Sequence, residues 1–379
     1  MAFLLKAKMS DEQLNEYRKN IDAADREIVR LILERSRNVQ KIGESKRASG
    51  TPVFRPDREK EVYANIKQLV RELGGGDPEL DPSVLTNVYR EIMSGSIALE
   101  GGPTVYYLGP EASFSHEAAG SRFGASIRTE PLETIPDVFR RVSAEGGRAY
   151  GVVPVENTIQ GSVGLTNDAF LETDLLIYGE HYLRIHLNLL HKTEVPLHEI
   201  KRLYALRIAR EQCGNWMDRN LNPGRLEIIE TVSTAEAAVQ AATRGDGAAI
   251  ASSMAARTYN LKPLAERIED TAYNVTRFLV IGRHKSKPTG DDKTSIICAV
   301  RDEPGSLFSI LKPFYDNSIN LSRIESRVTR KSYGDYYFFI DFLGHKDDPV
   351  CAGILRELER VTSYLKILGS YPRGDLPGS

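Results

Sequence analysis

A long helical pattern at the start of the chain limits the possible folds most strongly. Apolar side chains recur at alternating spacings of three and four from Leu14 to Leu31, which is the heptad pattern of a coiled-coil helix. A helix over residues 11–48 would be roughly 57 Å long, at about 1.5 Å per residue. Because this exceeds the width of a small domain, we predict that its apolar seam contacts a second copy of the chain.

Two shorter helical patterns follow, and then the character of the chain changes. Helices are predicted from Pro56 to Gly74 and from Pro82 to Glu100, which gives an all-α, three-helix domain over residues 10–100. Short apolar strands then alternate with helices, which predicts an α/β domain with a mostly parallel sheet over residues 103–284. The alternating run from Leu183 to Leu190 and a return strand near residue 275 would divide this domain into two lobes with a ligand cleft between them, as in periplasmic binding proteins.

The last part of the chain has a different order of elements. After a polar linker, the pattern reads strand, helix, strand, strand, helix, strand over residues 292–372. This βαββαβ order is the ferredoxin-like arrangement. The predicted fold class is therefore multidomain: an α domain, then an α/β domain, then an α+β domain.

Charge and cysteine content bear on partners and location. The 379 residues carry a formal net charge of −2, which gives no reason to expect nucleic acid or a membrane as a partner. No apolar run approaches the roughly 18 residues of a membrane span. Cys213, Cys298 and Cys351 are too far apart in sequence to indicate a disulfide framework or a metal site. We therefore predict a cytoplasmic protein that uses no metal and no cofactor.

Cations interrupt the apolar seam of the first helix. Arg35 occupies a heptad position that calls for an apolar residue, and Lys46, about three turns later, points the same way to within about 20°. Glu59 on the second helix, and Ser96 with Glu100 on the third, lie on apolar faces. One interpretation is a solvated stripe at the helix ends. The other is a small pocket for a doubly anionic ligand, because buried like charges need anions to meet them.

These residues, with Arg18 and the Asp57-Arg58-Glu59 segment, resemble the all-helical chorismate mutases. The resemblance implies two chains that exchange their long first helices. Arg35 and Arg18 of the partner subunit would bind the substrate carboxylates, Lys46 a carboxylate and the ether oxygen, and Glu59 the hydroxyl, with support from Arg58. A Claisen rearrangement needs only a held substrate and charge stabilisation at that oxygen, and no cofactor.

Two positions depart from the mutase pattern. Arg55 stands where relatives often have aspartate, and Glu100 stands where some have glutamine beside the ether oxygen. A glutamate can donate a hydrogen bond there only while it is protonated, so we expect the rearrangement to favour acid.

Polar loops follow three strands of the middle segment. They hold Ser113, the Glu156-Asn157-Thr158 run and the Thr276-Arg277-Phe278 run. Ser113 is either a structural helix cap or part of a carboxylate site at a helix N-terminus. Together the loops resemble prephenate dehydratase. The resemblance implies that Thr276 assists departure of the ring hydroxyl, that Arg277 or nearby N–H groups hold a carboxylate, and that Gln212 and the first two loops line the same cleft with Phe278. Residues 204–208 depart from the family pattern, which would reshape the far wall.

The C-terminal segment resembles the ACT regulatory domains of these dehydratases. The residues that carry the resemblance are Gly305, Leu307, Asn320, Glu325 and Ser326. Helix capping and an edge strand would explain them without a ligand. The resemblance instead implies a phenylalanine site at an interface of this domain, and phenylalanine would inhibit dehydration more than rearrangement.

The resemblance to the fused mutase–dehydratases of bacteria covers residues 10–372. It implies an enzyme of phenylalanine biosynthesis, a homodimer or a higher oligomer, that turns chorismate into prephenate and then phenylpyruvate. Three alternatives remain at this point: a non-catalytic amino-acid-binding regulator, a dehydratase that prefers arogenate, and a chain whose mutase half is inactive.

Overall fold

The computed structural model describes residues 11–74, 82–301, 303–328 and 336–377. Its first unit is helical, as predicted. The long first helix, α1, spans 39 residues, and only Val39 and Gly43 along it are buried. The seam side chains are uncovered within one chain: Ile21 is 59% exposed. The three helices are α1 (Asp11–Ser49), α2 (Pro56–Leu73) and α3 (Pro82–Leu99).

The second unit has two mixed sheets, one in each lobe, and most strands of each sheet run in one direction, as predicted. In the first sheet, the order is β2-β1-β3-β11-β5, with β4 on β3. Strands β1, β2 and β3 are parallel, but β11 returns antiparallel between β3 and β5. The second sheet has the order β10-β6-β9-β7-β8 and is also mixed. Strand β11 is antiparallel to β3 and β5 because the chain leaves the first lobe after β5 and re-enters it at β11 from the same end.

The elements of the first lobe are β1 (Thr104–Leu108), α4 (Phe114–Phe123), β2 (Thr129–Leu132), α5 (Ile135–Ala144), β3 (Ala149–Asn157), β4 (Gly161–Ser162), α6 (Gly164–Leu171), β5 (Leu176–Arg184) and β11 (Val275–Gly282). Those of the second lobe are β6 (Asn188–His191), β7 (Arg202–Leu206), α7 (Arg207–Glu211), α8 (Gly214–Asn220), β8 (Glu227–Thr231), α9 (Thr234–Arg244), β9 (Ala248–Ala251), α10 (Ser253–Thr258) and β10 (Lys262–Ala265). Gln212 and Cys213 separate the two short helices α7 and α8.

The third unit confirms the βαββαβ prediction. All its strand pairs are antiparallel, in the order β13-β14-β12-β15. One face of this sheet packs against its own helices, while Ile297, Phe339 and Leu368 on the other face join the core of the first lobe. The elements are β12 (Asp292–Val300), α11 (Ser306–Asp316), β13 (Leu321–Val328), β14 (Tyr336–Leu343), α12 (Pro349–Val361) and β15 (Tyr364–Pro372).

The connection between α1 and α2 anchors the helical unit to the first lobe. Phe54 is 1% exposed and belongs to the same core cluster as side chains of β1, β3 and β11. The centroid of the Phe54 ring lies 4.7 Å from the centroid of the Phe123 ring. The Phe54 ring also makes edge-on contacts with the rings of Tyr150 and Tyr178. Both tyrosine hydroxyls donate to the Phe54 carbonyl oxygen, at 3.4 and 3.1 Å. The two units therefore share one apolar core at this point.

Candidate active sites

Four of the predicted residues of the helical unit meet between α1 and α3. The Arg35 guanidinium donates to the Ser96 hydroxyl, which in turn donates to the Ile92 carbonyl at 2.7 Å. Lys46 Nζ lies 2.7 Å from a carboxylate oxygen of Glu100. An open groove of about 360 Å³ runs beside Arg35 along α1. The groove is lined by six residues of α1, including Glu34 and Arg35, while Lys46, Ser96 and Glu100 lie where α1 contacts α3.

Glu59 has partners on two sides. One carboxylate oxygen lies 2.5 Å from Arg122 Nη1, and the other accepts from the Tyr63 hydroxyl at 3.4 Å. The expected support from Arg58 is absent, because that side chain is 61% exposed and pairs with Glu61. Successive residues of a helix point about 100° apart, so Arg58 and Glu59 face different ways.

Arg18 and Arg55 take no part in this cluster. Arg18 is exposed and donates to the Asn15 side-chain oxygen at 3.4 Å. It lies about 25 Å from Arg35 along the same helix, at 1.5 Å per residue, so one chain cannot bring both to one ligand. Arg55 pairs with Asp57. Within one chain, Arg18 and Arg55 are therefore separate from the cluster around Arg35 and Lys46.

A cleft of about 920 Å³ separates the two lobes of the second unit. Five of the predicted residues line it: Ser113, Asn157, Gln212, Thr276 and Phe278. Asn274 and Gln160 also line it and were not predicted as site residues. Asn274 stands two residues before Thr276, so the two-residue alternation of a strand was the signal that could have found it.

The Thr276 hydroxyl is fixed by a hydrogen-bond network. Asn157 Nδ2 donates to Thr276 Oγ1 at 2.9 Å and to Asn274 Oδ1 at 2.9 Å. Asn274 Nδ2 donates in turn to Gln212 Oε1 of the second lobe at 3.1 Å. Because Thr276 Oγ1 accepts from Asn157, its own O–H is directed elsewhere and can donate into the cleft.

Arg277 lies outside this cleft, which corrects the expectation that it could hold a carboxylate there. It is 5% exposed and bonds Glu180 at 2.7 Å, Asp341 at 2.5 Å and the Tyr371 hydroxyl at 2.9 Å. Successive residues of a strand point to opposite faces of the sheet, so Thr276 and Phe278 face the cleft while Arg277 faces the third unit.

Glu156 and Thr158 also do not line the cleft. Glu156 pairs with Arg277 in register on the neighbouring strand, and its carboxylate lies 4.0 Å from Arg323 Nε of the third unit. Thr158 Oγ1 donates to the Tyr273 carbonyl at 3.2 Å and accepts from Val275 N–H at 3.0 Å. Thr158 therefore ties its loop to the start of β11 and leaves Asn157 as the cleft residue of that run.

Helix N-termini contribute positive potential to the cleft, whose described lining residues include no lysine or arginine but two carboxylates, those of Glu133 and Glu236. Ser113 caps α4 by accepting from His116 N–H at 3.3 Å, which is one of the two roles predicted for it. Ser233 caps α9 on the opposite lobe. The N–H groups and dipoles of these two helix N-termini are the groups that could attract an anion there. The unusual 204–208 segment contributes the apolar side chain of Leu206 to the far wall, followed by Ile208 and Ala209.

The predicted ligand residues of the third unit are divided between two surfaces. Gly305 starts α11 with a positive φ of 90°, and Leu307 in the first turn is 42% exposed. Asn320 accepts from Leu343 N–H through its backbone carbonyl at 3.0 Å. Glu325 faces the second unit and accepts from Asn167 Nδ2 at 3.2 Å, whereas Ser326 is exposed on the other side of the edge strand β13.

Comparison with known proteins identifies the family. Family models match in three consecutive stretches: chorismate mutase type II over residues 17–101, prephenate dehydratase over 105–286 and the ACT domain over 294–360. The chain is 45% identical over 363 residues to the bifunctional chorismate mutase/prephenate dehydratase of Aquifex aeolicus, with 96% of this chain and 98% of the relative covered. The chain belongs to the bifunctional chorismate mutase/prephenate dehydratase family.

Solved structures resemble the dehydratase and ACT domains. Prephenate dehydratase from Arthrobacter aurescens in complex with L-Phe has a TM-score of 0.66 and 33% identity, covering 71% of this chain and 90% of that one. GqqA, described as a quorum-quenching acylase, has a TM-score of 0.65 and 26% identity, covering 71% and 98%. Proteins with this fold therefore have more than one described activity. The family of this chain is identified by its sequence similarity to the bifunctional relatives over nearly its whole length.

The described residues were also compared with the requirements of a membrane-spanning helix and of a metal site. None of the helices in the described ranges is long and apolar enough to cross a membrane. Within those same ranges, no group of three or more histidine, cysteine, aspartate or glutamate side chains is arranged to hold a metal ion.

Proposed function

We propose that this chain rearranges chorismate to prephenate in its helical domain and converts prephenate to phenylpyruvate in the cleft between its two lobes. The observation that carries the proposal is the presence of both constellations in one chain: Arg35 with Ser96 and Lys46 with Glu100 in the first domain, and Thr276 with Asn157 in the second. A non-catalytic regulator would need a ligand cleft but not these charged and hydrogen-bonding pairs between α1 and α3.

The mutase chemistry follows from charge placement. Arg35 holds a substrate carboxylate, and Lys46 stabilises the negative charge that develops on the ether oxygen as the C–O bond breaks. Glu59 accepts from the substrate hydroxyl. Holding the substrate in its reactive shape supplies the remaining acceleration.

The mutase site requires a second copy of the chain. The apolar seam of α1 is exposed at Tyr17, Ile21 and Ile28, and Arg18 on the same helix is too far from Arg35 to serve the same site. Exchange of α1 between two chains would cover the seam and bring Arg18 of the partner subunit to Arg35. We therefore propose a homodimer, with a higher oligomer compatible with the same contacts.

The dehydratase chemistry needs one positioned donor. As the carboxylate carbon leaves as CO₂, the electrons of the broken C–C bond enter the ring and expel the ring hydroxyl, which takes up a proton to leave as water. The Thr276 hydroxyl donates to that departing oxygen, and the N-termini of α4 and α9 hold the two carboxylates of prephenate. Asn157 keeps Thr276 in place through its 2.9 Å hydrogen bond.

Phenylalanine is the proposed regulatory ligand. The solved relative in complex with L-Phe supports an amino-acid site in this group of proteins. We assign it to an interface of the ACT domain with Gly305, Leu307, Asn320, Glu325 and Ser326. We also propose a cytoplasmic location, because the three cysteines are free, buried thiols, as is usual in a reducing compartment.

Incubation of the purified protein with chorismate tests the function. Prephenate should form and then decline as phenylpyruvate accumulates, without added metal or cofactor. Arogenate offered in place of prephenate measures the substrate preference in the same experiment. If chorismate is bound but remains unchanged, the catalytic proposal fails and the regulator alternative stands.

A further inference from the structure

The mutase residue Glu59 is paired with an arginine of the dehydratase domain. Arg122 belongs to α4, the helix that leads away from the dehydratase cleft, and its Nη1 atom lies 2.5 Å from Glu59 Oε2. The two side chains are only 15% and 13% exposed, so solvent screens this pair little. The second oxygen of Glu59 accepts from Tyr63 at 3.4 Å, within its own helix.

Arg122 is itself held in place by the interface between the two domains. Its guanidinium carbon lies 5.1 Å from the centre of the Phe54 ring and 5.9 Å from that of Phe123, which are cation–π contacts. Phe54 comes from the mutase and Phe123 from the dehydratase. These contacts hold the Arg122 guanidinium against the apolar core that the two domains share, next to the Glu59 carboxylate.

Lys46 depends on the same interface. Its Nζ atom donates to the Val53 carbonyl at 3.2 Å, and Val53 directly precedes the anchored Phe54. Two side chains of the proposed mutase site, Lys46 and Glu59, thus take part of their orientation from the contact between domains. The dehydratase domain forms part of the support of the mutase site.

We propose that Arg122 is a positioning residue of the mutase, which orients the Glu59 carboxylate for the chorismate hydroxyl. The proposal rests on the proposed role of Glu59. Because the ion pair is largely shielded from water, it restrains the Glu59 side chain more strongly than an exposed pair would. Without Arg122, the Glu59 side chain gains rotamer freedom, and the hydroxyl contact is made less often.

The expected kinetic effect is on binding. The hydroxyl is on the ring carbon next to the one whose ether bond breaks, but its own bonds stay intact and it develops no charge of its own, so we expect Glu59 to contribute about equally to the bound substrate and the transition state. Loss of such a contact raises KM and leaves kcat nearly unchanged. A variant that merely loosened the fold would lower the active fraction, and hence kcat, without raising KM, and would lower dehydration of added prephenate as well.

The test compares variants of the full-length protein in both assays. Arg122→Ala should lower mutase kcat/KM about tenfold through KM, in line with about 1.4 kcal/mol per factor of ten, while dehydration of added prephenate stays within about twofold. Arg122→Lys should restore part of the loss because it keeps the charge. Arg128→Ala, at a 75% exposed arginine of the same domain, is the matched control and should change neither activity.

A double-mutant cycle separates positioning from a structural role. In a Glu59→Gln background, Arg122→Ala should have no further effect on KM, because the group that it orients is already altered. Unchanged mutase kinetics in Arg122→Ala, or additive effects in the cycle, would overturn the proposal. If Glu59→Gln alone leaves the mutase unaffected, the role of Glu59 falls, and the inference falls with it. If the wild type consumes no chorismate, the proposed function itself is wrong.

Discussion

At the scale of single residues, the ion pair of Lys46 and Glu100 controls the charge beside the proposed ether-oxygen site. The carboxylate lies 2.7 Å from the ammonium group, and both are at least half-buried. An ionised Glu100 neutralises the lysine and repels the charge that develops on the substrate oxygen. A protonated Glu100, or a glutamine, would instead donate a hydrogen bond.

The substitution Glu100→Gln tests this relation. We expect the glutamine variant to have a higher mutase kcat than the wild type under the same conditions, because the amide carries no repelling charge and can donate to the ether oxygen. The measurement is the steady-state rate of chorismate consumption by both proteins. A kcat no higher than that of the wild type would remove Glu100 from the reacting oxygen.

His181 is a second residue whose surroundings predict a pH effect, here on stability. Its Nε2 atom is buried and has no hydrogen-bond partner among the residues that the structure describes. Burial, with repulsion from Arg122 and Arg90, lowers the pKa of the imidazole from 6.5 to about 3. Below pH 6.5 the His181 imidazole binds a proton in the unfolded chain but stays neutral in the folded chain. The free energy of unfolding should therefore fall as the pH drops from 6.5 towards 3, by at most about 1.4 kcal/mol per pH unit.

Urea denaturation at several pH values measures this slope. The non-titrating variant His181→Gln should lose stability less steeply than the wild type over the same range. Equal slopes would show that His181 is not responsible for the acid sensitivity.

At the scale of elements, strand β11 connects catalysis with regulation. Thr276 and Phe278 point into the cleft, while Arg277 between them enters a buried cluster with Glu180, Lys293 and Asp341. The cluster contains two cations and two anions and lies between the dehydratase and ACT domains. Burial would raise the pKa of Asp341, but the attraction of Arg277 holds it below its ordinary value.

Asp341→Asn should therefore be strongly destabilising. It removes one anion and leaves two buried cations with a single carboxylate, a change that costs about 3–5 kcal/mol. Chemical denaturation of the full chain measures the loss. Asp347→Asn, at a carboxylate that is 57% exposed, is the control and should cost less than about 0.5 kcal/mol. Equal stabilities of the two variants would contradict the role of the cluster.

Local pattern was enough to predict the elements, but the partners of several residues depend on long-range pairing. The heptad seam predicted α1 to within one residue, and the cations that interrupt it led to Arg35 and Lys46. The antiparallel course of β11 could not be read from its own residues, because it follows from strands more than 90 positions away. Arg277 was misplaced for the same reason: its partner Asp341 lies 64 residues further on.

At the scale of the whole molecule, the ACT domain is connected to the dehydratase cleft by α6. The ACT domain contacts this helix, and the residue before its first turn lines the cleft. Glu325 on β13 accepts from Asn167, and Asn167 also donates to Ser162 at 3.0 Å. Val163, next to the start of α6, lines the cleft. A ligand that engages Glu325 differently in two conformations would shift this segment and hence the cleft.

Phenylalanine should therefore inhibit dehydration more than rearrangement, and Asn167→Ala should weaken that inhibition. We expect the half-inhibitory concentration in the prephenate assay to rise at least about fivefold, while calorimetry still detects phenylalanine binding. Inhibition identical to the wild type would exclude this route between the domains.

The central claim is that one chain holds two separate active sites, and the kinetics of two point variants test it most directly. Arg35→Ala and Thr276→Val are each supplied with chorismate and, separately, with prephenate. Arg35→Ala should leave chorismate unconsumed and still dehydrate prephenate. Thr276→Val, which keeps the shape and deletes the hydroxyl, should consume chorismate, accumulate prephenate and lose dehydratase kcat by a factor of about 10²–10⁴. Loss of both activities in either folded variant, or full dehydration by Thr276→Val, would contradict the account.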